Sequence, residues 1–212
     1  MADTVADTVA GATRRSPLAH RDAIAAADGA AAMAERRFLG KFVLRGDAAK
    51  IGTAAKAALG VALPENGRLA IKGKTMVLAT SPDEWLVICD GPAEAAINAL
   101  SGKLSKLHHQ IADVSDYYTT IRLSGPRARD MLQKITTRDM HRREFTPGAC
   151  GGILLAHANP VIALLSDDSG GAVFDIHIRW SFADYLWCEI AHSGGEWGLP
   201  RQTPLHGERL VV

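Results

Sequence analysis

Residues 118–132 read Tyr118-Thr119-Thr120-Ile121-Arg122-Leu123-Ser124-Gly125-Pro126-Arg127-Ala128-Arg129-Asp130-Met131-Leu132. The first six carry the alternation of a half-buried strand, a two-residue period. Ser124-Gly125-Pro126 then turns the chain into a helix, because proline is favoured at the first helical position. Ala128, Met131 and Leu132, with Ile135 beyond, recur at helical spacing and form its apolar face. A strand feeding directly into an amphipathic helix is one building unit of an α+β fold.

The same unit stands upstream. Residues 38–45 read as a strand, Asp47 can cap the helix that follows, and Gly60 stops it; Ile51, Ala55, Ala58 and Leu59 mark its buried stripe. Three strand-like runs come next, 68–72, 75–80 and 84–89, then a short helix over 93–100 that Asp90-Gly91-Pro92 opens and Ser101-Gly102 ends. Downstream, strands at 152–156, 161–165 and 173–179 precede a final helix at 182–192, for which Ser181 with Asp184 suggests a capping box. Leu44-Arg45-Gly46 aligns with Leu123-Ser124-Gly125 at an offset of 79, and Pro92 with Phe182 at 90; loops at 142–151 and 166–171 lengthen the second copy. The fold expected is α+β, two tandem similar halves of strand-helix-strand-strand-strand-helix sharing one pseudo-two-fold unit. The halves span 36–107 and 108–212, with His108-His109 in the linker between them, and an extended N-terminal arm occupies 1–35. Residues 1–13 are nearly all small, acidic or hydroxyl and read as a mobile tail, and the Ala-rich 23–34 as a loose segment.

Composition narrows the function classes. At 212 residues and 47% hydrophobic, the chain can bury a sizeable core. Lys+Arg 24 against Asp+Glu 23 leaves a net charge of +1, so no global field favours nucleic acid or an anionic membrane surface. The three cysteines, Cys89, Cys150 and Cys188, lie 61 and 38 residues apart, too far for a CxxC clamp, and fit a reducing, cytoplasmic setting. No apolar run reaches the ~18 residues of a membrane span. The balance hides a segregation, however. Residues 120–145 hold seven basic and three acidic side chains, while 163–200 hold six acidic and one basic. That pattern suits a solvated helix face with an Asp130–Lys134 pair, or complementarity to protein partners.

The candidate chemical motifs are weak. Gly73-Lys74-Thr75 resembles the end of a phosphate-binding loop, but Gly67 is misplaced and two strands flank it, so a hairpin turn is expected. In Gly148-Ala149-Cys150-Gly151-Gly152 nothing local lowers the thiol pKa, which makes it a flexible turn. Asp167-Asp168 reads as a turn, and the eight histidines show no metal-ligand spacing. Trp180, Trp187 and Trp197 crowd the end of the chain, as core or as partner anchors.

Several of these runs, taken in order, resemble the gamma subunit of heterotetrameric sarcosine oxidase. They are Arg15-Ser16-Pro17-Leu18, Phe42-x-Leu44-Arg45-Gly46, Pro82-Asp83-Glu84-Trp85-Leu86, Asp113-Val114-Ser115-Asp116, Ile121-Arg122-Leu123-Ser124-Gly125-Pro126-x-Ala128-Arg129-x-x-Leu132 and Arg179-x-Ser181-Phe182-Ala183-x-Tyr185-Leu186-Trp187. The resemblance implies a fold similar to the folate-binding aminomethyltransferase superfamily. It further implies a cytoplasmic complex of alpha, beta, gamma and delta subunits that demethylates sarcosine to glycine and passes the one-carbon unit to tetrahydrofolate. FAD, FMN, NAD, tetrahydrofolate and zinc are expected on the other subunits and none on this chain, which is expected to be structural, without catalytic or metal-binding residues. Folate-dependent relatives carry an acidic pair in a hairpin after a Gly-Gly segment, whereas residues 151–162 here contain no carboxylate. Lys134-Ile135-Thr136 lacks an expected Cys, and Arg138-Asp139-Met140 keeps only part of another match. The substrate therefore stays open between sarcosine and N-methylglutamate, and a stand-alone folate-binding aminomethyltransferase-like protein is the rival from another class. Arg14, Arg15, Pro17 and Leu18 of the arm, with Trp197, are the residues expected at a partner interface.

Overall fold

The first strand-to-helix step shows how local chemistry sets the elements. In the computed structural model, which describes residues 14–205 and the backbone of 8–9 and 12–13, strand β5 (Gly40–Gly46) runs into helix α1 (Ala48–Leu59). Asp47 caps α1 by accepting a hydrogen bond from the Ala49 amide at 3.0 Å, and Gly60 ends it at φ +73° with its amide on the Lys56 carbonyl. The other elements of this half are β6 (Leu69–Lys72), β7 (Thr75–Ser81), β8 (Glu84–Cys89) and α2 (Glu94–Leu104). Helix α2 runs past the Ser101-Gly102 stop because Leu100 and Leu104, one turn apart, are both fully buried.

The second half repeats the order with β10 (Tyr118–Gly125), α3 (Ala128–Gln133), β11 (Cys150–Gly152), β12 (Val161–Asp168), β13 (Gly171–Arg179) and α4 (Ala183–Ser193). The β7–β8 and β12–β13 hairpins each turn in two residues, and each has a register shift at the corresponding place, between Ala79 and Ser81 and between Leu164 and Ser166. Three departures distinguish this half from its expected form, the first being that the strand expected at 152–156 lies at Cys150–Gly152. Residues 166–168 and 171 are ladder around a two-residue turn rather than a longer loop, and Ser181 makes no capping box: a 3-10 turn, Trp180–Phe182, precedes α4, and no side chain caps it.

Three more strands link the halves. β9 (His109–Asp113) follows α2, and β3 (Ile24–Ala25) and β4 (Ala32–Arg36) precede β5. The first sheet has the order β6-β7-β8-β5-β9 and the second β11-β12-β13-β10-β4-β3. The halves therefore exchange strands: β4 leads into β5 but pairs with β10, and β9 leads into β10 but pairs with β5. This corrects the expected boundaries at 36 and 108. Residues 14–36 are not a separate arm, since Leu18, Ala31 and Met33 lie in the second half's core, and His109 is in a sheet rather than a linker. The expected tail falls largely outside the described residues; of it, only a short ladder is described, β1 (Thr8–Val9) with β2 (Ala12–Thr13).

Alternation along the strands sorts side chains into layers. Phe42, Leu44, Val77, Trp85 and Val87 pack with α1 and α2, and Ile121, Leu123, Phe174, Ile176 and Ile178 with α3 and α4. The opposite faces meet each other through Leu78, Leu86, Ile88, Cys150 and Ala163. The result is a helix–sheet–sheet–helix sandwich, the doubled α+β fold expected from the repeat.

Glycine is required where the sheets' turns close up. A Cβ on Gly171 (φ +99°) would lie 2.1 Å from the Gly125 carbonyl carbon, whereas one on Gly73 (φ +58°), in the β6–β7 turn, would meet nothing within 4 Å. Urea unfolding should show Gly171→Ala losing about 3 kcal/mol or more through strain plus overlap. Gly73→Ala should lose only about 1 kcal/mol, from backbone strain alone.

Candidate functional site

The polar chemistry of this chain is concentrated between the sheets. Because the apolar residues of β10 and β13 face α3 and α4, their alternates Thr120, Arg122, Asp175 and His177 face the first sheet. Asp175 is fully buried and accepts two hydrogen bonds from Arg122, both at 2.8 Å, and one from Arg36 at the end of β4 at 3.0 Å. His177 is also fully buried; its Nδ1 shares a 2.9 Å hydrogen bond with Thr120 Oγ1, and its Nε2 has no partner among the described residues. From β5, the buried Lys41 Nζ donates to the carbonyls of Leu39 and Tyr118 at 3.3 and 3.1 Å. At the edge of the cluster Glu35 accepts from Ser16, Thr119 and Arg37.

Burial decides how these groups titrate. It holds the His177 imidazole down to about 3 against the opposing pull of Asp175, so the ring is neutral near neutrality. It lowers Lys41 to about 8, helped by the nearby Arg14 charge. Burial would raise Asp175, but the Arg122 hydrogen bond and the charges of Arg122 and Arg36 oppose it, and the carboxyl is held below its usual range. An acid and a base this close could in principle move a proton, yet a substrate must reach them. Neither described depression does. One, of about 330 Å³, is walled mainly by Gly29, Gly125, Gly170 and Gly171 with Asp168; the other, of about 10 Å³, lies under Arg14, Phe38 and Trp180. Asp175, His177 and Lys41 line neither of them.

The motifs singled out in the sequence are spent internally. Gly73-Lys74 is a hairpin turn. Cys150 lies in β11 rather than in a flexible turn, its buried thiol pushed up to about 11; burial raises Cys188 to about 11 as well, and Cys89. Among the described residues no group of three or more His, Cys, Asp or Glu could hold a metal ion. Asp167 ends no turn: it is buried on β12 and bonds Arg129, whose guanidinium also binds the carbonyls of Met140 and Phe145. Arg129 thereby fastens the irregular 134–149 stretch that follows the short α3. Arg142 approaches the other Asp167 oxygen at 3.0 Å, off the hydrogen-bonding direction. Asp184, expected in a cap, instead accepts from His20, Arg21 and the Leu205 amide. Asp130 pairs with Arg127 rather than Lys134, which reaches Glu196 and the Ser193 carbonyl and lies over the Trp197 ring at 4.2 Å.

Of the residues expected at an interface, Arg14 bonds Asp116 and lies over Phe38, Arg15 is exposed, and Pro17 is half-buried. Leu18 is fully buried in the chain's own core, and Trp197 packs against that core beneath Arg127 and Lys134. The structure thus gathers Arg14, Arg15, Pro17 and Leu18 in one strap but turns Leu18 inward. The Arg36–Asp175–Arg122 triad is not among the candidates that the sequence offers. Its one signal was an aspartate alternating with apolar residues in a predicted strand.

This strand-exchanged α+β pair shares its fold with an aminomethyltransferase. The glycine cleavage system aminomethyltransferase T from Bartonella henselae superposes with a TM-score of 0.54 at 16% identity, covering 74% of this chain and 44% of that one. The chain belongs to the sarcosine oxidase gamma subunit family, whose model matches residues 45–196. A sarcosine oxidase subunit gamma from Corynebacterium sp. (strain U-96) is 35% identical over 192 residues, covering 86% of this chain and 90% of that protein. The solved heterotetrameric sarcosine oxidase from Corynebacterium sp. U-96, in complex with pyrrole 2-carboxylate, contains a chain that matches with a TM-score of 0.77 at 28% identity, covering 90% of this chain and 99% of that one. An aminomethyltransferase from Koribacter versatilis is 27% identical over 165 residues; the match covers 75% of this chain but only 41% of that protein.

The buried cluster sets an acid limit on stability. Because the folded His177 pKa lies below the ordinary 6.5, the unfolded chain binds the extra proton between about pH 6.5 and 3. Stability from this group is complete above pH 6.5 and falls by about 1.4 kcal/mol per pH unit below it. Asp175, also depressed, adds to the loss at the acid end of that window. Urea midpoints measured from pH 7 to 4 should decline accordingly, and His177→Gln should flatten the slope. Asp175→Asn, which strips the charge facing Arg36 and Arg122, should cost about 3–5 kcal/mol at pH 7.

Proposed function

We propose that this chain is the non-catalytic, structural gamma subunit of a sarcosine oxidase-type complex with alpha, beta and delta partners. In that reading the assembly oxidatively demethylates sarcosine to glycine and passes the one-carbon unit to tetrahydrofolate. FAD, FMN, NAD, tetrahydrofolate and zinc reside on the other subunits. The observation that carries the reading is the match along 90% of a sarcosine oxidase gamma subunit. The site chemistry agrees with a structural role, since Asp175, His177 and Lys41 are buried between the sheets and line neither described depression.

The relation to aminomethyltransferases raises the question of folate. Residues 151–162, where the family's folate carboxylates would fall, contain none, and the stretch closes through a Leu155–Ala158 bridge and a hydrogen bond from the Ala156 amide to the Ile135 carbonyl at 2.6 Å. A folate amine would find no anionic partner there, so this chain's residues do not fit the group. N-methylglutamate remains the alternative substrate of the assembly.

Affinity purification through a tag on this chain should yield a yellow assembly with three further chains that turns over sarcosine, whereas the chain purified alone should be colourless and give no heat with tetrahydrofolate in calorimetry. Stoichiometric flavin or micromolar folate binding by the lone chain would overturn the structural role. Turnover of N-methylglutamate but not sarcosine would overturn only the substrate.

A further inference from the structure

We propose that the seam around Tyr117, Arg179, Trp180 and Phe182, rimmed by Arg14 and Phe38, is the surface on which a carboxylate-bearing segment of another subunit docks; this rests on the assembly reading above. The seam lies where the chain crosses between the sheets, at the turns before β5 and β10 and the 3-10 turn after β13. Tyr117, Arg179, Trp180, Arg14 and Phe38 are linked by contacts, and Phe182 ends the same 3-10 turn as Trp180. The Trp180 amide donates to the Tyr117 carbonyl at 3.0 Å, Arg179 lies over the Tyr117 ring at 5.4 Å, and Arg14 over Phe38 at 5.1 Å. Arg14, Phe38, Tyr118 and Trp180 share the walls of the 10 Å³ depression.

Two observations point to an occupant. First, only four large apolar side chains are exposed among the described residues, and two of them, Tyr117 and Phe182, flank Trp180 here. Aromatic side chains clustered in this way are the usual anchors of protein interfaces. Phe38 is also held at φ +55°, a conformation a bulky residue adopts only when its surroundings enforce it.

Second, the charge is unbalanced in one direction. Arg14 is matched by Asp116, and Glu35 is taken up by Ser16, Thr119 and Arg37. Arg179, exposed and stacked on Tyr117, has no carboxylate partner among the described residues. A guanidinium stacked by one face on an aromatic ring keeps its N–H edge available for a carboxylate, and stacking holds that edge in place. An acidic segment of a partner subunit supplies the missing charge and covers the aromatic surface at once.

The test compares complexes assembled on wild-type and variant full-length chains, each first shown to keep the wild-type melting temperature. Arg179→Glu should weaken assembly at least tenfold, Phe182→Ser should weaken it measurably, and Arg179→Lys should fall between Arg179→Glu and wild type. The wild-type affinity should drop with salt more steeply than that of Arg179→Glu. In the Arg179→Lys complex, carbodiimide should join the introduced amine to an Asp or Glu of another subunit, located by peptide mapping. Unchanged assembly by both Arg179→Glu and Phe182→Ser would overturn the proposal while leaving the assembly reading intact. Failure of the wild-type chain to assemble at all would overturn both. A cross-link to Asp3 or Asp7 of the same chain, or to a second copy of it, would overturn the proposal in favour of that occupant.

Discussion

The contact on which the rest of the molecule depends is the clamp of Arg36 and Arg122 on Asp175. It joins three neighbouring strands, β4, β10 and β13, through one fully buried carboxylate. Arg122 and Asp175 are opposite each other in the β10–β13 ladder, while Arg36 is opposite Thr120 in the β4–β10 ladder. A slip of one residue in either ladder would turn the partner to the far face, against the helices. Buried ion pairs often give little net stability compared with apolar replacements, but removing one partner strands a buried charge. The clamp therefore acts on register, and the register it fixes is that of the exchanged strand. Because β4 continues directly into β5 of the other sheet, fixing β4 fixes how the two halves are joined.

The same economy explains the segregated charges of the sequence. The basic stretch 120–145 and the acidic stretch 163–200 belong to elements that the second sheet and its helices bring together. Arg122 meets Asp175, Arg129 and Arg142 meet Asp167, and Lys134 meets Glu196. What reads along the chain as two charged regions offered to partners is largely one region neutralised by the other. Arg179, a basic residue inside the acidic stretch, is among the charges that this pairing leaves without an opposite partner among the described residues.

Legibility in the sequence followed the range of the forces involved. Helix α1 could be read almost to the residue because Asp47, Gly60 and its apolar stripe act within a turn or two. The Gly73-Lys74 hairpin and the repeated element order were equally local. The exchange of β4 and β9 was not legible. Ala32-Met33-Ala34 offers one large side chain, and β9 is a polar edge strand, so both acquire their strand character from pairing with distant residues. Asp184 has the sequence signature of a cap, but Arg21, more than 160 residues away, competes for its carboxylate and wins with a partly buried ion pair. Asp167 and Asp175 look like ordinary polar positions until tertiary contacts bury them.

A duplicated fold need not keep its halves equivalent, and this one does not. The first half keeps a 12-residue α1 where the second has a 6-residue α3 followed by the irregular 134–149 stretch. That stretch is held by Arg129, which binds two of its carbonyls while paired to Asp167. A single guanidinium thus performs the organising work that helical hydrogen bonds perform in the other half. Residues committed in this way to holding the chain to itself are unavailable to a substrate. The same holds for Asp175, for the neutral His177 and for the three buried thiols with raised pKa values. Here Asp175 and the three thiols are held inside the chain, while Tyr117, Arg179 and Phe182 face outward.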